Sequence, residues 1–315
     1  MRECDFPKTI AVRLEGGIGD HLLGMRILHF IRGRYPQHEI VAYSDSAGHP
    51  VPLQVAQMSP YVAKVVPVYQ NSESVCMETL GNLENIQEKY LVLMRSAGHF
   101  FDTWGDSAFI SESHTLDVPL FELLAYHTEL TIPESAETEA TNLLSHHRDR
   151  VFVGLNLSKY GAAVLQRNRE LLRFFITQLL EDPNVVILNL FNSVYEFSHW
   201  PEPRRTLRRA VAREEGSFLR HLCDFYERII PCVDLPISTV AALLARCRYF
   251  IGVDNGIKHL AWALSVPHTF FFCGELDPMF VIRWMPDFHR MLTFDCSDEK
   301  LALHLDTAKA AIGQA

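Results

Sequence analysis

A strand, a glycine-containing loop and a helix follow one another near both ends of the chain, and this pattern limits the fold more than any other feature. TIAVRL (Thr9 to Leu14) predicts a strand, EGGIGD is the loop, and HLLGMRILHFIRGRYP predicts the helix. Near the other end, RYFIGV predicts a strand, DNG is the loop, and KHLAWALS predicts a helix. The apolar stripe of the first helix consists of Leu22, Leu23, Ile27, Phe30 and Ile31. Strand, loop and helix in this order open a βα unit of a parallel sheet.

Short apolar runs continue the pattern through both halves. EIVAYS, VAKVVPVY and YLVLM predict strands in the first half, and Leu116 to Leu130 predicts a helix or two helical turns. From Val151 onward, VFVGLNLS and NVVILNLF predict strands, while RELLRFFITQLLED, ISTVAALLARC and SDEKLALHLDTAKAAIG predict helices. We therefore predict two α/β domains, residues 1–148 and 149–315, with a return of the last helix onto the first domain left open.

Composition narrows the classes of function. A formal net charge of -9 argues against a nucleic-acid surface. Seven cysteines without a CxxC pair fit reduced thiols in the cytosol. We expect neither a signal peptide nor a transmembrane segment, because no apolar run is long enough. The expected location is cytoplasmic, with peripheral membrane contact left open.

The loop DNG has the residues of a phosphate site. Asp254 or Asn255 can cap the following helix, and Gly256 allows the backbone to come close to a ligand. The first N–H groups of that helix would then face an anion such as a diphosphate. The alternative is an ordinary capped turn between a strand and a helix.

The first loop carries Gly16, Gly17 and Gly19, followed by Asp20 at the start of the helix. Its spacing is not the GxGxxG of dinucleotide-binding proteins, so NAD is disfavoured. Asp20 is either a carboxylate favoured by the helix dipole or a general base that takes a proton from an incoming hydroxyl.

Two segments together resemble glycosyltransferase family 9, the ADP-heptose:lipopolysaccharide heptosyltransferase group. They are VRLEGGIGDHLLGMRILHFIRGRYPQHEI and TVAALLARCRYFIGVDNGIKHLAWALSVP. The family has a glycine-Asp loop after its first strand and a D-[ST]-G-x-x-H-x-A signature near its end. The resemblance implies the GT-B fold, with two Rossmann-like domains facing a central cleft. It places the acceptor mainly on the first domain and the nucleotide-sugar donor mainly on the second.

The resemblance also implies roles for single residues. Asp20 matches the catalytic base, with Gly17 and Gly19 near both substrates. The donor signature falls on Asp254, Gly256 and His259, and Asn255 stands where the family has Ser or Thr.

A second departure from the family lies after VFVGLNLS. Where members have Lys-x-Trp-Pro, this chain reads KYGAAVLQRNRELL. Lys159, ahead of Arg167 and Arg169, is our candidate cation for the departing diphosphate, and the alternative is that all three are solvated surface residues.

The implied reaction is an inverting transfer of a heptose or related sugar from a nucleoside diphosphate, without metal or other cofactor. No Asp-x-Asp or HExxH motif is present in the sequence. An ADP-linked sugar is one candidate donor. A glycan, a lipid-linked glycan, a protein or a small molecule stays open as acceptor. Two other functions remain: an inactive nucleotide-binding relative that acts as a partner or regulator, and another GT-B enzyme such as a sugar-nucleotide epimerase.

Two further groups were considered as binding residues. Arg95, Ser96 and His99 follow a predicted strand of the first domain and are candidates for the acceptor side. Four arginines between residues 204 and 209 would share a helical face, which we interpret as solvated surface.

Overall fold

The computed structural model divides the chain into two compact units, Met1–Pro133 and Glu134–Ala315. Parallel strands alternate with helices in both units, so the predicted α/β class is confirmed. The residues that the structure describes are 9–15, 17–45, 50–68, 127–157, 161–191, 227–272, 290–293 and 296–313.

The described part of the first unit is built on a parallel sheet in the order β1, β2, β3. Its elements are β1 (Thr9–Glu15), α1 (Ile18–Arg34), β2 (Glu39–Asp45), α2 (Pro50–Gln57) and β3 (Lys64–Val68). Leu22, Phe30 and Ile31 of the predicted apolar stripe are buried in α1. The predicted strand YLVLM lies outside the described residues.

Residues 127–130 are not helical, although the sequence predicted helical turns through Leu130. The hydroxyl of Thr128 donates to the carbonyl of Leu22 in α1 at 2.6 Å, and the N–H of Thr131 donates to the carbonyl of Met58 at 2.7 Å. These bonds tie the segment to α1 and to the end of α2. Its polar groups are therefore satisfied by neighbouring helices rather than by a helix of its own.

The second unit contains a parallel sheet of six strands in the order β6, β5, β4, β7, β8, β9. Its strands are β4 (Val151–Asn156), β5 (Val185–Phe191), β6 (Ile229–Val233), β7 (Cys247–Val253), β8 (His268–Phe272) and β9 (Met291–Thr293). Its helices are α3 (Glu134–Leu143), α4 (Gly161–Leu180), α5 (Ile237–Leu244), α6 (Gly256–Ala263) and α7 (Asp298–Gly313). The chain builds outward from β4 to β6, returns to place β7 beside β4, and then builds outward in the other direction. This is the doubly wound arrangement, whose direction reverses between β4 and β7.

Helix α7 packs in the core of the second unit. Its buried Leu305, Ala308 and Ile312 join the cluster that Phe175 of α4 and Tyr249 of β7 also belong to. A return of this helix onto the first domain, which the sequence left open, stays a prediction. The amphipathic pattern predicted a buried face for the helix but not which sheet would cover it.

A buried polar chain also links α7 to the sheet. The Tyr249 hydroxyl and Thr269 Oγ1 are 2.6 Å apart, and Thr269 Oγ1 is 2.9 Å from His304 Nδ1. Burial raises the pKa of Tyr249 to about 12, outweighing the hydrogen bond with Thr269 and the charge of Arg290, both of which lower it.

Helix α3 belongs to the second unit, whereas the boundary predicted at residue 148 would leave it with the first. The Arg246 guanidinium contacts the Glu137 carboxylate at 2.7 Å, and Thr239 of α5 donates a hydrogen bond to Glu139. Only small residues of the helix, Ala136 and Ala140, are buried. A stretch with so little apolar surface resembles a linker in sequence, although it packs against α5.

Candidate functional site

The carboxyl ends of β4 and β7 lie side by side at the point where the winding of the second sheet reverses. Asn156, the last residue of β4, is in register with Gly252 of β7. The connections after these two strands leave in opposite directions, which opens a crevice in sheets of this type. The loop predicted to hold phosphate, Asp254 to Gly256, begins at this point.

Asn255 is the cap of α6 and also bridges to the neighbouring strand. Its Oδ1 accepts from the N–H groups of Ile257 at 2.9 Å and Lys258 at 3.1 Å. Its Nδ2 donates to Asn156 Oδ1 at 2.6 Å, and Asn156 Nδ2 donates to the carbonyl of Leu190 on β5. The chain of amides thus crosses the ends of β7, β4 and β5, and both asparagines are buried. A Ser or Thr at position 255 could cap the helix but is too short to donate to Asn156 as well.

This cap corrects one expectation from the sequence. The first N–H groups of α6 were predicted to face an anion, but those of Ile257 and Lys258 are already bonded to Asn255. The N–H of Gly256 takes no part in the cap. An anion at this end of α6 would therefore find fewer unbonded backbone N–H groups than the sequence predicted.

Asp254 lies between two groups that carry or can carry positive charge. Its Oδ1 is 4.0 Å from the ammonium of Lys258 and 3.9 Å from Nε2 of His259. The side chain of Asp254 is 21% exposed, that of His259 13% and that of Lys258 fully buried. Of these three side chains, Lys258 is therefore the one in the interior, and Asp254 is the most exposed.

Lys258 and Asn156 are site residues that the sequence reasoning missed. Lys258 lies on the buried side of α6 with Ile257 and Ala261, and its ammonium is 4.8 Å from the centre of the Phe270 ring. A lysine inside an apolar helical stripe is a signal that the sequence offers. Asn156 gives a weaker signal, as the polar residue that ends a buried strand.

Gly252 allows the strand ends to approach each other. A Cβ at this position would come within 2.5 Å of Phe250 Cε1 and 3.3 Å of the carbonyl oxygen of Asn156. A side chain there would displace the Phe250 ring or separate β7 from β4.

In the first unit, Asp20 closes the loop at the start of α1. The N–H of Gly17 donates to Asp20 Oδ2 at 2.7 Å, which matches the interpretation of Asp20 as a carboxylate at a helix N-terminus. Gly19 lies in the first turn of α1 and is half-buried. The predicted Gly17, Gly19 and Asp20 are therefore brought together at one strand end.

His21 completes this loop, and the sequence reasoning did not name it. Its Nδ1 is 3.1 Å from the carbonyl oxygen of Gly17, and its Nε2 is 2.8 Å from Ser44 Oγ. Because a carbonyl oxygen only accepts, Nδ1 donates to Gly17, and Nε2 shares a second hydrogen bond with the Ser44 hydroxyl, which can donate or accept. The ring is fully buried and joins the loop to β2.

The remaining predicted residues cannot be placed in either site. Lys159, Arg95, Ser96 and His99, and the arginines between 204 and 209, lie outside the described residues. Within the described part of the chain, no cluster of three or more His, Cys, Asp and Glu side chains is suited to a metal ion. None of the helices described there is long and apolar enough to cross a membrane.

A known protein family matches the part of the sequence that contains the second loop. The family "Glycosyltransferase family 9 (heptosyltransferase)" matches residues 213–284, a segment that contains β7, the Asp254 loop and α6. No curated protein matches the sequence.

Solved structures of a family 9 glycosyltransferase and of two heptosyltransferases are similar over nearly the whole chain. The family 9 glycosyltransferase from Veillonella parvula DSM 2008 has a TM-score of 0.61 at 13% identity, covering 100% of this chain and 99% of that one. E. coli ADP-heptose lps heptosyltransferase II has a TM-score of 0.59 at 16% identity, covering 97% and 99%. E. coli heptosyltransferase WaaC with ADP has a TM-score of 0.56 at 14% identity, covering 98% and 100%.

The fold is that of the GT-B glycosyltransferases, as the resemblance to family 9 implied. Together with the family match over residues 213–284, this fold makes the chain similar to glycosyltransferases. Within that class, the predicted resemblance to family 9 and its heptosyltransferases is confirmed.

Proposed function

We propose that the protein transfers a heptose or a related sugar from a nucleoside diphosphate to an acceptor hydroxyl, with inversion at the anomeric carbon. The observation that carries this proposal is the position of the family-matched loop. It lies after β7, at the reversal of the sheet, where doubly wound domains commonly bind ligands. Because one similar E. coli enzyme is described with ADP, an ADP-linked sugar is the donor we propose to test first.

The proposed donor site uses the end of β7 and the start of α6. The Gly256 N–H and the His259 ring are the groups we assign to the diphosphate, since both lie at the loop and outside the Asn255 cap. Lys159 is kept as a proposed cation on the strength of the resemblance alone. Asn255 and Asn156 hold the loop in place rather than contact phosphate in this proposal.

Asp20 is the proposed general base. It takes the proton of the acceptor hydroxyl while the acceptor oxygen forms a bond to the anomeric carbon. The bond from that carbon to the phosphate oxygen breaks at the same time, and the nucleoside diphosphate leaves with the electron pair. The Gly17 N–H orients the Asp20 carboxylate, and His21 holds the Gly17 carbonyl against β2. We propose that protein cations offset the charge of the leaving group, so that no metal is needed.

A second function stays open because both loops have structural uses. The carboxamide of Asn255 caps α6, and the Asp20 carboxylate accepts a hydrogen bond from the Gly17 N–H in its own loop. A protein that binds a nucleotide without transferring a sugar would need no more than this. The acceptor, whether glycan, lipid-linked glycan, protein or small molecule, and the cytoplasmic location remain predictions from the sequence.

The two functions differ in turnover. Thermal unfolding should be measured with ADP, GDP, UDP and CDP, and hydrolysis of the matching nucleotide sugars should be followed with and without EDTA. A transferase is expected to be stabilised by one diphosphate and to consume its sugar donor, unaffected by EDTA. Stabilisation without turnover, with candidate acceptors present, would favour the binding protein, and no stabilisation would reject the donor site.

A further inference from the structure

Lys258 is fully buried, yet it lies in the first turn of α6, directly after the loop that the proposed donor would contact. A buried ammonium is unfavourable unless charges and dipoles around it compensate. A leucine or methionine would fill the same place in the apolar stripe of α6 without this penalty. The lysine therefore calls for a reason beyond packing.

The surroundings of the ammonium supply that compensation. Its contacts include Asp254 Oδ1 at 4.0 Å and the face of the Phe270 ring at 4.8 Å. The backbone N–H of the same residue is held by Asn255 at 3.1 Å. The helix cap thus fixes the backbone of Lys258, and the contacts with Asp254 and Phe270 hold its ammonium.

Asp254 is the group on which this charge acts. Lys258 and His259 both approach its Oδ1. The carboxylate is the partly exposed member of the group, and the lysine lies behind it. A carboxylate beside a diphosphate repels it, unless a cation offsets the negative charge at short range.

We propose that Lys258 is a positioning residue of the donor site, which fixes the Asp254 carboxylate and offsets its charge so that a diphosphate can bind beside it. This inference rests on the proposed function. It assigns to Lys258 an action through Asp254, not a contact with the donor.

The test compares ADP with adenosine, because their affinity ratio isolates the effect of the phosphates. Calorimetry gives this ratio for the wild type, Lys258→Met, Asp254→Asn and the double variant. Loss of the lysine should lower the preference for ADP about tenfold. Asp254→Asn should raise the preference, and the double variant should return within about threefold of the wild type.

Lys309→Met is the matched control, because Lys309 is an exposed lysine of the same unit that pairs with Glu181. It should leave the ratio unchanged. A purely structural role for Lys258 predicts a loss of ADP binding that Asp254→Asn does not rescue, and this result would overturn the proposal. An unchanged ratio in Lys258→Met would overturn it as well.

Two further outcomes keep the inference separate from the function it rests on. If the wild type binds no nucleoside diphosphate, the proposed donor site fails, and the role of Lys258 fails with it. If Lys258→Met does not fold, Asp254→Asn alone decides, because the proposal requires its preference for ADP to rise.

Discussion

The Asp20 loop of the first unit and the Asn255 loop of the second each join a strand to a helix, but different side chains hold them in place. In the first unit Asp20 closes the loop onto the Gly17 N–H, and His21 makes the bond to Ser44 on the next strand. In the second unit Asn255 alone caps α6 and reaches Asn156 on the next strand. Because a carboxamide both accepts and donates hydrogen bonds, Asn255 makes both contacts that Asp20 and His21 make separately in the first loop.

The difference decides whether the carboxylate of each loop also serves as the helix cap. In the second loop the cap is neutral, so the charge of Asp254 is left to pair with Lys258 and His259. In the first loop the cap itself is charged, so the proposed base and the structural cap are the same residue, Asp20. The first loop therefore couples catalysis to loop geometry, whereas the second separates them.

The largest effect is expected from Asp20→Asn. An asparagine can still accept from the Gly17 N–H, so the loop should persist while the base is lost. We expect the transfer rate to fall by about 10² to 10⁴, with ADP affinity changed by less than about twofold. Steady-state rates and calorimetry measure the two quantities, with Asp306→Asn on the exposed face of α7 as control. Full activity in Asp20→Asn would leave Asp20 with only its capping role.

Asn255 tests the second loop in the same way. Asn255→Ala removes the cap and leaves the amide of Asn156 with one partner fewer, which should lower the free energy of unfolding by about 2 to 4 kcal/mol. Asn255→Ser should restore the cap but not the bridge, and so recover about 1 kcal/mol. Urea unfolding measures both variants. Equal stability of Ala and Ser would show that the cap contributes little.

The sequence predicted the strands and helices of both loops because these depend on local periodicity. It did not predict the bond between Asn255 and Asn156, which are 99 residues apart, since this needs the register of β4 on β7. For the same reason the sequence showed Asn255 only as a replacement for the Ser or Thr of the family, and did not show the partner that it gains. Burial of Lys258 likewise depends on the packing of α6 against β8.

Ser44→Ala tests whether the bridge of the first loop is equivalent to the asparagine bridge. The change removes the hydroxyl that shares a buried hydrogen bond with His21 Nε2. We expect a loss of about 1 kcal/mol in the free energy of unfolding. Ser44→Thr, which keeps a hydroxyl, is the control for chemical denaturation. A neutral Ser44→Ala would mean that the two loops are joined to their sheets by different means.

The smallest effect is expected from Tyr249→Phe, which probes the sheet of the second unit away from the loop. The folded pKa of Tyr249, about 12, exceeds the ordinary value of 10.0, so its contribution is fully present below pH 10. As the pH rises from that value toward 12, the unfolded phenol ionises first, and the folded state loses stability. Between about pH 8 and about pH 10.5 the wild type should therefore lose under about 1 kcal/mol more than Tyr249→Phe in urea unfolding.

Because Tyr61 and Cys232, whose pKa values are also raised, are common to both proteins, their contributions cancel in this difference. Equal losses would mean that the phenol is exposed to solvent in the native state and that its contact with Thr269 does not persist in solution.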